Sequence, residues 1–414
     1  MGFSFVYDAI RTPRGKAKPE GGLADISPLQ LLSTLYKQIE LRNYLNPIWV
    51  EDVILGCVSQ VNEQGGNIAK ASLMYAGWPD SVPGLTINRF CSSGLDAINI
   101  GVMKILSDQA SCVVTGGIEM MSRVPMLSDK AVMFSDDAIA LSSRMLMMGS
   151  GADLIASDYD ISREMLDELA YESQQRAAKA TRKGFFKSIM PIFNPVKDQI
   201  IMRDECIRAN ISLGQLAALP AAFAELGHSG VDALQLTEHS HLTKITHVHT
   251  AGNSPSMADA AALVLLGNEA LQERLGKAPI AKVHAVATTC NDPLQVVSGC
   301  TAATVKLMSE QNLTAEDIDL FEIHEAFAAT IIACQRELDI SSDKLNVNGG
   351  VIAMGHPMGA TGAIMLGTLI DELARRKLKT GIVATSGAAG IGTAMLISLC
   401  LSLIHISEPT RPTR

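Results

Sequence analysis

The chain predicts an α/β protein: two similar α/β/α-layered halves with a lobe inserted between them. Short apolar runs alternate with amphipathic stretches through the first 120 residues, and the same rhythm returns in the last third. The middle third is instead Met-rich and then basic. At 414 residues and 47% apolar, the chain is too long for one ordinary domain and apolar enough for several cores. The expected division is 1–121 completed by 251–278, an insert over 122–250, a second half over 279–399, and a tail over 400–414.

The elements follow in order. Residues 3–7 read as a strand. Ser27-Pro28 opens a helix whose Leu31, Leu32, Leu35 and Ile39 share a face. Residues 53–57 read as a buried strand, 67–76 as a helix and 85–88 as a strand. A helix then starts at about Cys91, with Leu95, Ile98, Val102 and Ile105 at helical spacing, before a strand at 112–115. In the insert, Ser162 opens a helix that ends among Arg176, Lys179, Arg182, Lys183 and Lys187, and 245–248 reads as a strand. The last third gives strands at 281–287, 320–324, 344–347, 381–385 and 392–399. Its helices fall near 299–310, 326–337 and 359–375. The tail has no period that fits a core and reads as non-native.

Bulk properties narrow the function. A net charge of −9 disfavours nucleic acid or an anionic membrane as general partners. Eight cysteines without a CxxC pair, in a chain this large, read as reduced cytoplasmic thiols. No secretory signal is read, and the longest apolar run, near 393–404, is too short to span a bilayer.

Four segments carry candidate chemistry. Asn88-Arg89-Phe90-Cys91-Ser92-Ser93-Gly94 places a cysteine where a strand turns into a helix. Helix-terminal N–H groups there favour a thiolate and can hold an oxyanion, although a buried inert cysteine is the commoner reading. His356 stands in the glycine-dense run Gly355-His356-Pro357-Met358-Gly359, and an imidazole beside a thiol is its usual base. His324, in Glu322-Ile323-His324-Glu325-Ala326-Phe327, occupies another strand-to-helix junction. Ser386-Gly387-Ala388-Ala389-Gly390-Ile391-Gly392 precedes a strand rather than a helix, so it fits a glycine-rich active-site turn better than a dinucleotide fingerprint. The pairs His239/His241 and His247/His249 have no third ligand at useful spacing and read as ordinary strand residues, so no metal site is expected. The basic run 176–187 is either a solvated face or a surface that steers an anionic ligand.

Together these segments resemble the thiolase family of acyl-CoA acyltransferases, over residues 1 to about 399. The further markers are Arg11-Thr12-Pro13-Arg14-Gly15, Gly116-Gly117-Ile118-Glu119-Met120-Met121-Ser122, and Thr250-Ala251-Gly252-Asn253-Ser254 with Asp259. The resemblance implies Cys91 as the acylated nucleophile and His356 as its base. His324 and His356 would serve one oxyanion hole, and the backbone N–H groups of Cys91 and Ala388 the other. It makes the insert a coenzyme A lobe, with Arg208, Arg176, Lys179 and Lys183 as candidates for its phosphates and Ser254 and Ser256 for the substrate. Coenzyme A would be a substrate, no cofactor is implied, and a cytoplasmic homodimer or homotetramer acting on CoA thioesters is expected. Two departures stand out. Ser386 replaces the family's second catalytic cysteine, and Pro255 and Ala260 replace a common Ser and Gly. The rivals are a ketosynthase-like condensing enzyme with a Cys-His-His site, and a degenerate acyl-CoA-binding homologue.

Overall fold

A computed structural model describes residues 2–400; the tail beyond Cys400 lies outside them. Nine main strands form one sheet: β1 Ser4–Arg11, β2 Asp52–Gly56, β3 Gly84–Ile87, β4 Cys112–Met120, β5 Ala258–Gly267, β6 Ala281–Cys290, β7 Leu320–Ile323, β8 Thr380–Ser386 and β9 Ile391–Leu399. Their order is β7-β8-β9-β6-β1-β5-β4-β2-β3, and a two-residue strand, Gly15–Lys16, adds to β5. The repeat expected from the rhythm is written in this order. β1-β5-β4-β2 on one side answers β6-β9-β8-β7 on the other, with the same parallel and antiparallel pairings. The halves meet at three antiparallel rungs between β1 and β6, starting at Ser4↔Val283.

β5, a strand the sequence reading did not mark, is buried along its whole length. Along β5, Ala261, Leu263 and Leu265 enter one core, while Ala260, Ala262, Val264 and Leu266 enter another. Both faces of the sheet are therefore covered by helices. On one face lie α1 (Pro28–Asn43) and α2 (Ile68–Ala76). Ser27 and Gln30 complete a capping box for α1, and Leu31, Leu32, Leu35 and Ile39 are fully buried. On the other face is α3 (Ser93–Leu106).

The insert between β4 and β5 contains α4 (Met148–Asp158), α5 (Arg163–Lys183) and a hairpin of Ile192–Asn194 with Gln199–Ile201. The second half adds α6 (Gly299–Glu310), α7 (Ala328–Leu338) and α8 (Thr361–Arg376). α8 packs against α3 across the seam, sharing a core with it.

Two expected strands are corrected. Residues 245–248 have no strand because side chains satisfy their backbone: Thr246 N–H donates to Ser157 Oγ, and Val248 and His249 N–H donate to Asp153. Residues 344–347 reach β7 only through the bridge Phe321↔Leu345, beside which the Asn346 amide grips both polar groups of Ile323. The helix expected from Cys91 starts at Ser93, and that expected from 326 starts at Ala328.

The insert is tied down by a buried ion cluster. Arg11 makes bidentate contacts of 2.7 and 2.9 Å with Asp204, and Arg14 reaches the same carboxylate. Each of the two pairs is about 1% exposed.

Candidate active site

Cys91 sits between the end of β3 and the start of α3. The residue before it, Phe90, has φ +51°, a left-handed conformation that aromatic side chains seldom adopt. This sharp turn presents the thiol to a cavity of about 230 Å³. His324 follows β7, His356 lies in the loop before α8, Ser386 ends β8 and Ala388 lies in the turn after it, and all of them line the same cavity with Cys91 and Ser254. Residues far apart in the chain thus meet because β7 and β8 are neighbours and α3 packs on α8.

The loop carrying His356 approaches α3 and β4 so closely that only glycine fits. A Cβ on Gly94 would lie 2.5 Å from the Gly359 carbonyl oxygen, and one on Gly117 only 2.0 Å from it. Behind the thiol, the buried Glu119 carboxylate accepts N–H groups of Val58, Ser59 and Gly359 and the Gln64 amide. It fastens the His356 loop to the turn after β2.

The sequence led us to expect helix-terminal N–H groups to favour a Cys91 thiolate. Burial and the Glu119 carboxylate dominate instead and push the thiol up to about 12. α3 begins two residues later, which removes the thiol from the helix end. The imidazoles move the other way. Burial lowers His324 to about 4, and burial, His324 and the Arg14 charge hold His356 well below its ordinary value. At rest the site therefore holds a neutral thiol and two neutral imidazoles. Their rings lie 4.5 Å apart, centroid to centroid. His356 Nδ1 is hydrogen-bonded to Thr361 Oγ1 at 2.8 Å. His356 Nε2 and both His324 nitrogens are buried without a well-aligned hydrogen bond among the described residues, the Ser386 backbone being the polar group that acts on the His324 ring. Nor do the backbone N–H groups of Cys91 and Ala388 meet a carbonyl acceptor among them. Such buried groups suit an oxygen that acquires negative charge.

The rest of the wall is apolar: Met121, Met126, Met147, Met148, Phe223 and Met257 contribute to it. The Met-rich character of the insert was visible in the sequence; its role as a cavity wall was not. Ser254 Oγ is buried there without a partner. Ser256 bears on the site through its carbonyl, which accepts the His356 N–H.

The basic candidates lie away from this wall. Arg176 donates to the Leu345 carbonyl at 2.9 Å and pairs with Glu172. Lys179 and Lys183 are exposed on α5, and the Arg208 backbone N–H donates to Gln174.

Comparison with known proteins agrees with this geometry. The family profile "Thiolase, N-terminal domain" matches residues 4–270, and "Thiolase, C-terminal domain" matches 277–399. The chain belongs to the thiolase family. It is 34% identical to the 3-ketoacyl-CoA thiolase of Photorhabdus laumondii over 401 residues, covering 95% of this chain and 98% of that one. The Bacillus subtilis 3-ketoacyl-CoA thiolase is also 34% identical, over 95% of this chain and 99% of its own. The crystal structure of human mitochondrial 3-ketoacyl-CoA thiolase superposes with a TM-score of 0.84 at 30% identity, covering 96% of this chain and 99% of that chain. The Bacillus anthracis acetyl-CoA acetyltransferase gives 0.83 at 31%, covering 97% and 99%. This thiolase is an acyltransferase, and thiolases use CoA substrates. No helix among the described residues is long and apolar enough to cross a membrane.

Proposed function

We propose that this thiolase moves acyl groups between CoA thioesters through an acyl-Cys91 intermediate, by thiolysis of 3-ketoacyl-CoA or the reverse condensation. The observation that carries this reading is the meeting of Cys91 with the buried nitrogens of His324 and His356 in one apolar cavity. His356 Nε2 takes the Cys91 proton as sulfur attacks the 3-keto carbon. The N–H groups of Cys91 and Ala388 hold the tetrahedral oxyanion, each such donor contributing about 3–4 kcal/mol in comparable sites. The C2–C3 bond then breaks, His324 and His356 stabilise the enolate oxygen of the departing acetyl-CoA, and C2 takes up a proton in place of the one that left Cys91. A second CoA thiol attacks the acyl-Cys91 carbonyl, and its proton passes to the Cys91 sulfur as the bond between that sulfur and the acyl group breaks.

The insert over 122–250 is the lobe we assign to CoA, with Lys179 and Lys183 as its exposed cations and Arg176 held in the fold. A homo-oligomer is supported by the end strand β3, whose residues are at most half-buried and which packs on α2, a helix with Met74 and Tyr75 exposed. Eight free cysteines support a reducing, cytoplasmic setting.

The test is to incubate the protein with acetyl-CoA and map the adduct, alongside steady-state thiolysis of acetoacetyl-CoA and longer 3-ketoacyl-CoAs. An acyl group on another cysteine, or on none, overturns the assignment. Turnover of malonyl-CoA in preference would instead mark a ketosynthase-like enzyme. A stoichiometric acyl-Cys91 burst without turnover would mark an acyl-CoA-binding homologue, the reading that Ser386 favours.

A further inference from the structure

Outside the cavity, the insert gathers two groups of His and Asp side chains that acyl transfer does not use. We propose that one of them, His228, Asp232 and His247, is a binding site for a divalent transition metal of the zinc class. Their donor atoms all lie within 4.8 Å of one another. Sequence spacing offered His247 no third partner, but the fold supplies two. A π-turn at Gly227–Val231, with Gly230 at φ +114°, places His228 and Asp232 on one side of the segment. The irregular stretch through His247 returns past it, and the His228 and His247 rings meet edge to face at 5.5 Å.

Three features distinguish this group from a chance surface cluster. First, His247 Nδ1 is held at 2.9 Å by Asp153, a wholly buried carboxylate. The other oxygen of Asp153 is fixed by the His249 ring and by two backbone N–H groups. A carboxylate behind an imidazole in this way orients the ring and strengthens it as a ligand. Second, His247 Nε2 faces Asp232 Oδ2 at 3.0 Å, while Asp232 Oδ1 is buried with no hydrogen-bond partner among the described residues. That oxygen keeps its lone pairs for a ligand. Third, a Cβ on Gly227 would fall 2.4 Å from both Asp232 Oδ1 and His247 Cε1, so the backbone itself closes one side of the group.

Two imidazoles and one carboxylate suit Zn²⁺ or Co²⁺, with a water in the fourth position. Mg²⁺ and Ca²⁺ favour all-oxygen sites. Metal–donor bonds of about 2.0–2.2 Å put donors no more than about 4 Å apart. The group must therefore close by roughly an ångström, and His228 is its one exposed member. The metal takes the place on Nε2 that a shared proton holds against Asp232, and that proton is released. The other group, Asp158, His239 and His241, lacks a buried carboxylate behind it: His239 meets the partly exposed Asp292, and His241 is 61% exposed. It serves as the internal control. Phe223 and Leu226, just before the proposed site, line the acyl cavity, so the metal would brace that wall.

The full chain, freed of metal with a chelator, is titrated with Zn²⁺ by calorimetry and with Co²⁺ by absorption. We expect one Zn²⁺ per chain at micromolar concentration, a Co²⁺ spectrum without a thiolate charge-transfer band, and a melting temperature raised by Zn²⁺. His228→Asn and Asp232→Asn each weaken binding more than about 10-fold. His228 is exposed, so His228→Asn keeps the metal-free melting temperature. A His239→Asn/His241→Asn double variant retains the site. No uptake by the unaltered protein, loss of the metal in the double variant alone, or a thiolate band overturns the assignment.

Discussion

Ser386 Oγ donates a 2.7 Å hydrogen bond to the carbonyl of Val297 and accepts the Cys300 N–H at 2.9 Å. The hydroxyl stands at the cavity wall with its proton already placed, and it is a far weaker acid than a thiol. It serves the fold at a position where the proposed thiolysis calls for a group that gives and takes a proton.

Ser386→Cys therefore raises steady-state thiolysis by about 10²–10⁴-fold, the usual span of general acid–base effects. The acylation burst of Cys91 changes little. Rapid-quench kinetics of both forms separates the two phases. Fast turnover by the Ser386 protein, unimproved by cysteine, would show that the proton travels another way.

The neutral resting site has its own signature. With the Cys91 thiol raised to about 12, iodoacetamide modifies it at pH 7 more slowly than the exposed Cys290. Acetyl-CoA still acylates Cys91 alone, because His356 takes the proton during attack. A base whose value lies below the ordinary one stays unprotonated as the pH falls through 6.5. The acylation rate is thus flat through that pH and declines only below it. A titration centred near 6.5 would mean that His356 is not desolvated as described.

Asp204 anchors the insert to the first loop. Burial raises its carboxyl, but the Arg11 and Arg14 charges outweigh this and hold it below the ordinary carboxylate range. Its stabilisation is complete above pH ~4 and is lost as the pH falls through the lower folded-state value. Asp204→Asn leaves two buried guanidiniums without a counter-charge and costs about 3–5 kcal/mol in urea unfolding. A cost below about 1 kcal/mol would contradict that account.

Gly149 adjusts the cavity wall. A Cβ there would lie 2.3 Å from the Phe223 ring, which packs against Phe327 with centroids 5.8 Å apart. Gly149→Ala displaces Phe223 into the acyl space and lowers kcat/KM for long 3-ketoacyl chains by about 10-fold or more relative to acetoacetyl-CoA, the scale of one misfitted methylene. Equal effects on all chain lengths would place the acyl group elsewhere.

The sequence made the strand–helix rhythm, its repetition and the junctions bearing Cys91, His324, His356 and Ser386 legible, because periodicity and glycine punctuation are local signals. It hid what depends on distant partners. Residues 245–248 have a strand's composition, but their N–H groups go to Asp153 and Ser157. Arg176 looks like a free cation and is spent on the Leu345 carbonyl and Glu172. Nothing adjacent to Glu119 announces that it binds four donors from three segments. The Cys91 environment was misjudged because a helix start is visible in a sequence and the depth of burial is not.

Gly94, Gly117 and Gly359 let α3, β4 and the His356 loop meet backbone to backbone. None of the three lines the cavity, whose wall is made of other side chains, Ser386 among them. Exchanging Ser386 therefore leaves this seam untouched. The spacing of Cys91 from His356 rests on three missing side chains, and a single methyl group at any of them would part the two residues.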